Sequence, residues 1–424
     1  MEAGLPFRNE PCSAIRWFAW AAWWRLGISL PCAGPGEELE LGITRRYGSL
    51  DALRGLAALG VLLFHYNFTT GGIAPFHALL GAVYQSGHYL VDLFFVLSGY
   101  LLATVYAGRR DFAGLSWRRI ARLVPLHWAT LVLVLVLRLL MADVGLTLPD
   151  QNGDLHHFVL NVLLLDQIGL QRGFSFNTPS WSISVEWVVN LVLFALLAMG
   201  TKRLLWPALV LVALATVLLL SLRGQLASVG LLLGFLDAAL LRGVVGFFMG
   251  VALASLFPMR GEDPSKRAWD LVFLLAAVTL VFCMSSPVFR ETQGLDFIYA
   301  LVLMPALVVA GVRGPLVARL LAIRPLEFLG KISYSIYLVH FPMLLLLMLV
   351  TVWTGIRPSS NPILQMLIFV AATLGLSYLS WRYLEKPAQA WLNNRFAMGR
   401  DAGPRDGPSG TMPIANARSG AGEF

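Results

Sequence analysis

Two ionisable residues lie eleven positions apart in one apolar stretch, LDALRGLAALGVLLFHY, which runs from Leu50 to Tyr66. Arg54 is near its beginning and His65 is near its end. Ionisable side chains are costly in the hydrocarbon of a membrane and are usually kept there for a function. A histidine accepts and returns a proton near neutral pH, and a guanidinium binds phosphate or carboxylate groups. The stretch therefore combines a candidate base with a candidate anion ligand.

Two carboxylates on other apolar stretches reach nearly the same depth. The helical rise places His65 about 22 Å above the inner face of a membrane. Asp92, in GHYLVDLFFVLSGYL, descends to the same level, and Glu186, in PSWSISVEWVVN, lies about 9 Å below the outer face. An adjacent carboxylate fixes the tautomer of a histidine and raises its pKa, as a general base requires. Either acid could orient His65. We favour Asp92, because an unpaired carboxylate in so apolar a helix would be costly.

The same three side chains have two other interpretations. Each could be a buried group that only packs or gates, and together they could form the proton relay of a transporter. A proton-coupled transporter or flippase for a lipid-linked sugar is therefore the alternative to an enzyme. Ser182, one helical turn before Glu186, adds a polar group to the same face. No GxSxG turn surrounds this serine, so we do not expect it to be a nucleophile.

Basic residues cluster just before the third apolar stretch, in WRRIARLVP, which contains Arg118, Arg119 and Arg122. Arginine-rich inner loops commonly set membrane topology or contact lipid head groups. The alternative is that they bind phosphates, for which the forked guanidinium is suited. With Arg54, they predict a site for a phosphate-bearing donor on the inner side. A donor below and a base deeper in the membrane suit group transfer across it.

The composition predicts that these residues are held by membrane-spanning helices. Of the 424 residues, 57% are hydrophobic and only 13% are charged, and the mean hydropathy is +0.70. Soluble domains carry nearly twice that charged fraction, so we predict an all-α polytopic membrane protein. About ten apolar stretches have the length of a span: 49–67, 87–107, 121–142, 180–199, 203–221, 240–257, 268–287, 295–311, 332–353 and 363–384.

The distribution of Lys and Arg predicts the orientation of these spans. If the first span begins in the cytoplasm, the loops on the outer side carry only Arg172, Arg223, Arg290 and Arg357. All other loop Lys and Arg residues between positions 45 and 400 then fall inside, which agrees with the positive-inside rule. We therefore expect both ends of the membrane core to be cytoplasmic. The protein would lie in a bacterial inner membrane.

Two terminal segments differ from the core in composition. We predict an N-terminal appendage at 1–44, which is Trp-rich, a membrane domain at 45–390, and a disordered tail at 391–424, which is rich in Gly, Pro and Ser. The three cysteines form no CxxC pair, and the sequence has no Walker loop. We expect no bound metal or cofactor and no nucleic-acid partner.

Six motifs in order make the chain resemble acyltransferase family 3, the multi-span membrane acyltransferases, in the form without a fused soluble domain. The resemblance covers about 46–387. It rests on RRYGSLDALRGLAALGVLLFHY, HYLVDLFFVLSGYLL, RRIARLVP, PSWSISVEW, GKISYSIYLVHFP and WRYLEKP.

The resemblance implies transfer of an acyl group, most often acetyl, from cytoplasmic acyl-CoA as co-substrate to a hydroxyl of a glycan or other sugar-containing acceptor. In such a transfer His65, oriented by Asp92 or Glu186, would be the base or the acyl acceptor. We expect Asp92 to be its direct partner and Glu186 to be a second group on the acceptor side. The four arginines, Arg54, Arg118, Arg119 and Arg122, would bind the phosphates of CoA. The motif with Tyr337 and His340 adds these two residues as further site candidates.

Overall fold

A computed structural model describes residues 35–146, 148, 151–201, 203–259, 266–355 and 361–401. The chain divides into two units, residues 1–44 and residues 45–424, and all the spans discussed below belong to the second. Nearly all the described secondary structure is helical. The tail predicted as disordered at 391–424 is helical over 391–401, at the end of the helix Lys386–Asp401. The rest of that tail and most of the predicted appendage lie outside the described residues.

The α-helices, numbered in chain order, are α1 (Pro35–Thr69), α2 (His77–Ser86), α3 (Leu90–Val105), α4 (Phe112–Asp143), α5 (Leu155–Val162), α6 (Trp181–Ala198), α7 (Leu205–Leu222), α8 (Ala238–Leu256), α9 (Lys266–Ser285), α10 (Pro287–Glu291), α11 (Met304–Arg313), α12 (Pro315–Leu321), α13 (Arg324–Lys331), α14 (Ser333–Thr354), α15 (Pro362–Ser380) and α16 (Lys386–Asp401). Short 3₁₀ turns at Gly87–Tyr89 and Thr178–Ser180 lead into α3 and α6, and π-helical turns at Tyr299–Leu303 and Trp381–Glu385 precede α11 and α16.

Four two-residue strands lie outside the spans: β1 (Gln151–Asn152), β2 (Phe174–Ser175), β3 (Leu231–Leu232) and β4 (Leu236–Asp237). β1 pairs in parallel with β2, with Gln151 opposite Phe174, and β3 pairs in antiparallel with β4. Asp237 then caps the start of α8 by accepting a hydrogen bond from the Ala239 N–H at 2.8 Å. The strands thus hold the connections that lead into the helices.

The predicted spans are confirmed as helices, but one of them is a bent pair of helices and not a single straight helix. Nine helical segments in the described ranges are long and apolar enough to cross a membrane, and a tenth span results if one bent pair is counted. That pair is Tyr299–Arg313 and Pro315–Leu321, bent by 92°, where the sequence predicts the short span 295–311. The second span starts earlier than predicted, because α2 and α3 form one segment from His77 to Val105. The orientation in the membrane stays a prediction.

The seam between α3 and α8 is the closest helix packing around the site. A β-carbon on Gly99 would collide with the backbone carbonyl of Phe247, and one on Gly250 would collide with the carbonyl of Val96. Glycines on both helices therefore bring the two backbones into direct contact, as is common between helices in membranes. Since Asp92 and Ser98 lie on α3, this seam fixes the position of two polar residues near the site.

Candidate active site

Three of the four predicted donor-binding arginines line one cavity. Arg54 comes from α1, and Arg119 and Arg122 come from α4. The cavity has about 700 Å³ of space not filled by atoms, including its opening, and its other polar walls are Ser98, Ser182, Glu186, Ser333, Tyr334 and Tyr337. Arg118 is exposed and does not line the cavity. Around α4, Arg122 lies between Arg118 and Arg119, which point about 100° apart, and the cavity is on the Arg119 side.

Glu186 is bound to the arginine cluster and not to His65. Its carboxylate forms an ion pair with the guanidinium of Arg119 and accepts a hydrogen bond of 2.7 Å from the Ser98 hydroxyl. Arg54 bonds to Asp51 at 3.1 Å. Arg122 has no carboxylate within ion-pair distance in the part of the chain that the structure describes. The cavity therefore offers a guanidinium that has no ion-pair partner among the described residues.

His65 contacts His340 of α14. The sequence analysis named His340 as a site candidate only because its motif resembles the acyltransferase family. The Nδ1 atom of His65 lies 3.0 Å from the Val61 carbonyl oxygen and 3.2 Å from Nε2 of His340. The Nδ1 atom of His340 lies 3.1 Å from the Ile336 carbonyl oxygen. His340 is fully buried, and His65 is partly buried. The two rings thus join α1 to α14.

These contacts assign the tautomers of both rings. A carbonyl oxygen only accepts hydrogen bonds, so each Nδ1 must carry the proton that it donates to its own helix. Nε2 of neutral His340 is then a hydrogen-bond acceptor. The Nδ1–H of His65 is shared between this nitrogen and the Val61 carbonyl oxygen. Nε2 of His65 consequently keeps its lone pair and has no hydrogen-bond partner among the described residues. A histidine in this tautomer has the free basic nitrogen that a general base needs.

Tyr337 connects the histidine pair to the arginine cavity. Its side chain lines the cavity, and its hydroxyl lies 2.7 Å from the Ser182 hydroxyl. Its ring packs edge-on against the ring of His340, with 5.9 Å between the centroids. Tyr337 is one turn before His340 on α14, so both side chains face the same way. The site candidates Ser182, Glu186, Tyr337, His340 and His65 thus form one connected region.

The expected pairing of His65 with a carboxylate is wrong. Asp92 is fully buried and accepts two hydrogen bonds of 2.9 Å from Arg242 of α8, one from Nε and one from Nη2. Arg242 also donates to the His88 carbonyl at 2.9 Å and lies over the ring of Trp181. A buried carboxylate needs a cation, and the nearest one is on α8 rather than on α1. In place of a carboxylate, Val61 and His340 orient the His65 ring.

Arg242 is the main residue that the sequence analysis missed. It is the lone charge in the apolar stretch LLRGVVGFFMG, just as Asp92 is the lone charge in its own stretch. Two isolated opposite charges in membrane spans are expected to find each other, and this signal could have suggested the pair. Glu385, which accepts a hydrogen bond of 2.8 Å from Ser335, is a second buried acid that the expected site did not include.

Comparison with known proteins matches residues 47–382 of the chain to the family described as Acyltransferase domain. The chain is 28% identical over 382 residues to a protein of Bacillus subtilis named as a candidate peptidoglycan O-acetyltransferase, YrhL; the match covers 80% of this chain and 54% of that protein. It is 24% identical over 382 residues to the peptidoglycan O-acetyltransferase OatA of Listeria monocytogenes, covering 81% of this chain and 56% of OatA.

The chain therefore spans about half the length of the curated relatives that it matches. No solved structure matches it. The family match extends over most of the chain, including all the residues that line the arginine cavity and both histidines. The apolar helices and these relatives identify a multi-pass bacterial membrane protein. The chain belongs to the family described as Acyltransferase domain.

Proposed function

We propose that the protein transfers an acetyl group from acetyl-CoA, bound on the arginine side, to a hydroxyl of a peptidoglycan glycan strand. The acceptor class is suggested by the two relatives, which are named for peptidoglycan O-acetylation. The donor is suggested by the cluster of guanidinium groups, which bind phosphates well. The arginine side is the cytoplasmic side if the positive-inside rule holds for this chain.

The position of Tyr337 is the observation that carries this proposal. Its hydroxyl belongs to the cavity with the arginines, and its ring contacts His340, which in turn contacts His65. A continuous series of contacting side chains therefore leads from a place that suits phosphates to the histidine pair. Arg54 and His65 are about 16 Å apart along α1. An extended pantetheine arm has the length to cover this distance.

Within the cavity, the arginines have different tasks. Glu186 holds Arg119 by an ion pair, so Arg119 contributes a fixed direction as well as a charge. Arg122 has no such partner and is free to take a phosphate oxygen directly. Arg54 adds a third positive charge from α1, next to its bond with Asp51. The phosphates of CoA would bind here with the thioester pointing along Tyr337 toward the histidines.

The transfer step then needs one base and no bound cofactor. Nε2 of His65 takes the proton of the acceptor hydroxyl as its oxygen attacks the thioester carbonyl. The new C–O bond forms, the C–S bond breaks, and the thiolate of CoA leaves with the proton that His65 returns. His340 accepts the Nδ1–H of His65 throughout and stabilises the imidazolium while it exists. The alternative, transfer of the acetyl group to His65 itself, would use the same nitrogen.

Purified full-length protein in lipid vesicles should test this proposal. The vesicles are given acetyl-CoA labelled in the acetyl group and soluble peptidoglycan fragments, and the products are analysed by mass spectrometry. We expect label in an ester on the sugar and one free thiol released for each ester. His77→Ala, at a histidine outside the cavity, is the matched control and should behave as wild type. Labelled fragments that do not depend on His65, or thiol release without any ester, would contradict the proposal.

A further inference from the structure

A second recess lies beside the arginine cavity and shares none of its lining residues. It has about 1020 Å³ of empty volume including its open side, and it lies where α3, α6 and α8 end and α7 begins. The last turn of α3 separates the two spaces: Leu102 lines the arginine cavity, and Ala103 lines the recess. The recess is therefore at one end of the bundle, on the side that the positive-inside rule places in the cytoplasm.

Two guanidinium groups stand at the opening of this recess. Arg109 and Arg110 are exposed, and neither has a carboxylate within ion-pair distance in the described ranges. The Arg110 side chain crosses Gly200, whose φ is +77°; a β-carbon there would come within 2.9 Å of Nη2. The guanidinium of Arg109 lies 5.9 Å from the centre of the Tyr106 ring. Both charges are thus held at the opening and are available to an anion.

The inner wall of the recess is apolar. Ala103, Leu197, Leu204 and Ala254 form it, and the hydroxyl residues Thr201 and Ser255 line the same space. A recess with cationic groups at the opening and aliphatic groups within fits an amphiphile better than a fully soluble anion. Basic pockets between transmembrane helices on the cytoplasmic side are known to bind anionic lipid head groups.

We propose that this recess binds the head group of an anionic phospholipid. The guanidinium groups of Arg109 and Arg110 contact the phosphate, and the apolar wall receives the glycerol and the first part of an acyl chain. The site is separate from the arginine cavity, so it does not depend on which donor the cavity binds. It would fix the ends of α3 and α6, which carry Ser98 and Glu186 of the cavity, against the membrane.

Native mass spectrometry of the full chain in detergent, titrated with phosphatidylglycerol or phosphatidylcholine, tests this site. We expect wild type to bind phosphatidylglycerol at least about tenfold more tightly than the double variant Arg109→Gln, Arg110→Gln. The matched control removes two exposed arginines of the same predicted side, Arg319→Gln with Arg324→Gln, and should bind as wild type. Equal binding by all three proteins, or equal binding of both lipids by wild type, would overturn the proposal.

Two further measurements distinguish a lipid from a soluble anion as the ligand of the recess: competition by inorganic phosphate and lipid binding by the variant Ala107→Trp. Ala107 is exposed and lines the recess, so an indole there should fill apolar space without unfolding the protein. This variant is expected to bind phosphatidylglycerol severalfold more weakly than wild type while keeping both arginines. If inorganic phosphate competes as well as the lipid does and Ala107→Trp changes nothing, the recess is a site for soluble phosphate and the lipid proposal is wrong.

Discussion

Nδ1 of His65 and Nε2 of His340 lie 3.2 Å apart and link the first and one of the last spans of the chain across 275 positions. The contact leaves Nε2 of His65 as the one free ring nitrogen of the pair, because both Nδ1 atoms donate to backbone carbonyls. The chemistry proposed for the site depends on this arrangement, and the predictions begin with it.

Replacement of His65 by alanine should reduce acetyl transfer by at least about 100-fold, since it removes the general base. Expression and membrane insertion should be unchanged, because the side chain is only partly buried. Transfer is measured with labelled acetyl-CoA on purified protein, and His77→Ala serves as the control. Activity above a few per cent of wild type would exclude His65 as the base.

Replacement of His340 by alanine should reduce kcat by less than the loss at His65, by about 10-fold to 100-fold. The variant removes the acceptor for Nδ1–H of His65, so the ring loses its orientation and part of its basicity. His340→Gln places an amide oxygen in a similar place and should restore part of the activity. The pH–rate profile distinguishes this positioning role from simple loss of packing: an unchanged profile in His340→Ala would argue against it.

Arg122→Ala should raise the KM for acetyl-CoA by about tenfold or more and change kcat little, because a phosphate contact is made equally in ground and transition states. The matched control is Arg118→Ala, four positions earlier, which removes the same charge from the same helix but outside the cavity. The sequence alone predicts an effect at both positions. Equal KM changes in the two variants would mean that the charge of this segment matters more than the cavity.

Asp92→Asn should destabilise the protein strongly, by about 3–5 kcal/mol, because it leaves the buried Arg242 guanidinium without a counter-charge. A lower apparent melting temperature in detergent, with less protein recovered, is the expected result. Combining it with Arg242→Met should recover much of the loss, since the double variant contains no unpaired charge. If the single variant has normal stability but a shifted pH–rate profile, Asp92 acts on His65, as the sequence analysis expected, and its pairing with Arg242 is not its main role.

Asp166→Asn should remove a pH dependence of stability. Asp166 lies outside the spans, where burial raises the pKa of its carboxyl to about 7, and Asp237 nearby adds to this. A folded-state pKa above the unfolded value of 3.8 means that the native state binds more protons. Stability therefore falls as pH rises from about 4 to about 7, and a neutral amide should be more stable at pH 8. Melting temperatures of both proteins at pH 5 and pH 8 check this; an equal decline in both would contradict it.

The helices could be predicted from the sequence, because an apolar run of span length has few other stable structures in a membrane. Depth can be estimated from the fixed helical rise, but the shared depth expected for His65 and Glu186 is wrong. Glu186 pairs with Arg119 in the cavity that Arg54 also lines, and Arg54 is about 16 Å from His65 along α1. Depth, however, does not say toward which neighbour a side chain points. That direction depends on which helices pack together, and Arg242 is 150 positions from Asp92.

The same reason explains the remaining differences between sequence and structure. The distinction between Arg118 and its neighbour Arg119 requires knowing which face of α4 meets the cavity. The role of Val61 in orienting His65 is a backbone contact, which no side-chain pattern indicates. His340 and Tyr337 could be named only because their motif resembles a family, and the structure supplies the contacts that connect them.

The glycine seam between α3 and α8 also determines which parts of the protein can move. The backbones are in contact at Gly99 and Gly250, and the buried Asp92–Arg242 pair joins the same two helices. The two helices therefore have no space to shift against each other, and we expect them to move as one rigid unit. Ser98 belongs to this rigid unit, whereas Arg54, Arg122 and His340 lie on other helices. Any widening of the cavity that admits a donor therefore comes from displacement of α1, α4, α6 or α14 relative to the α3–α8 pair.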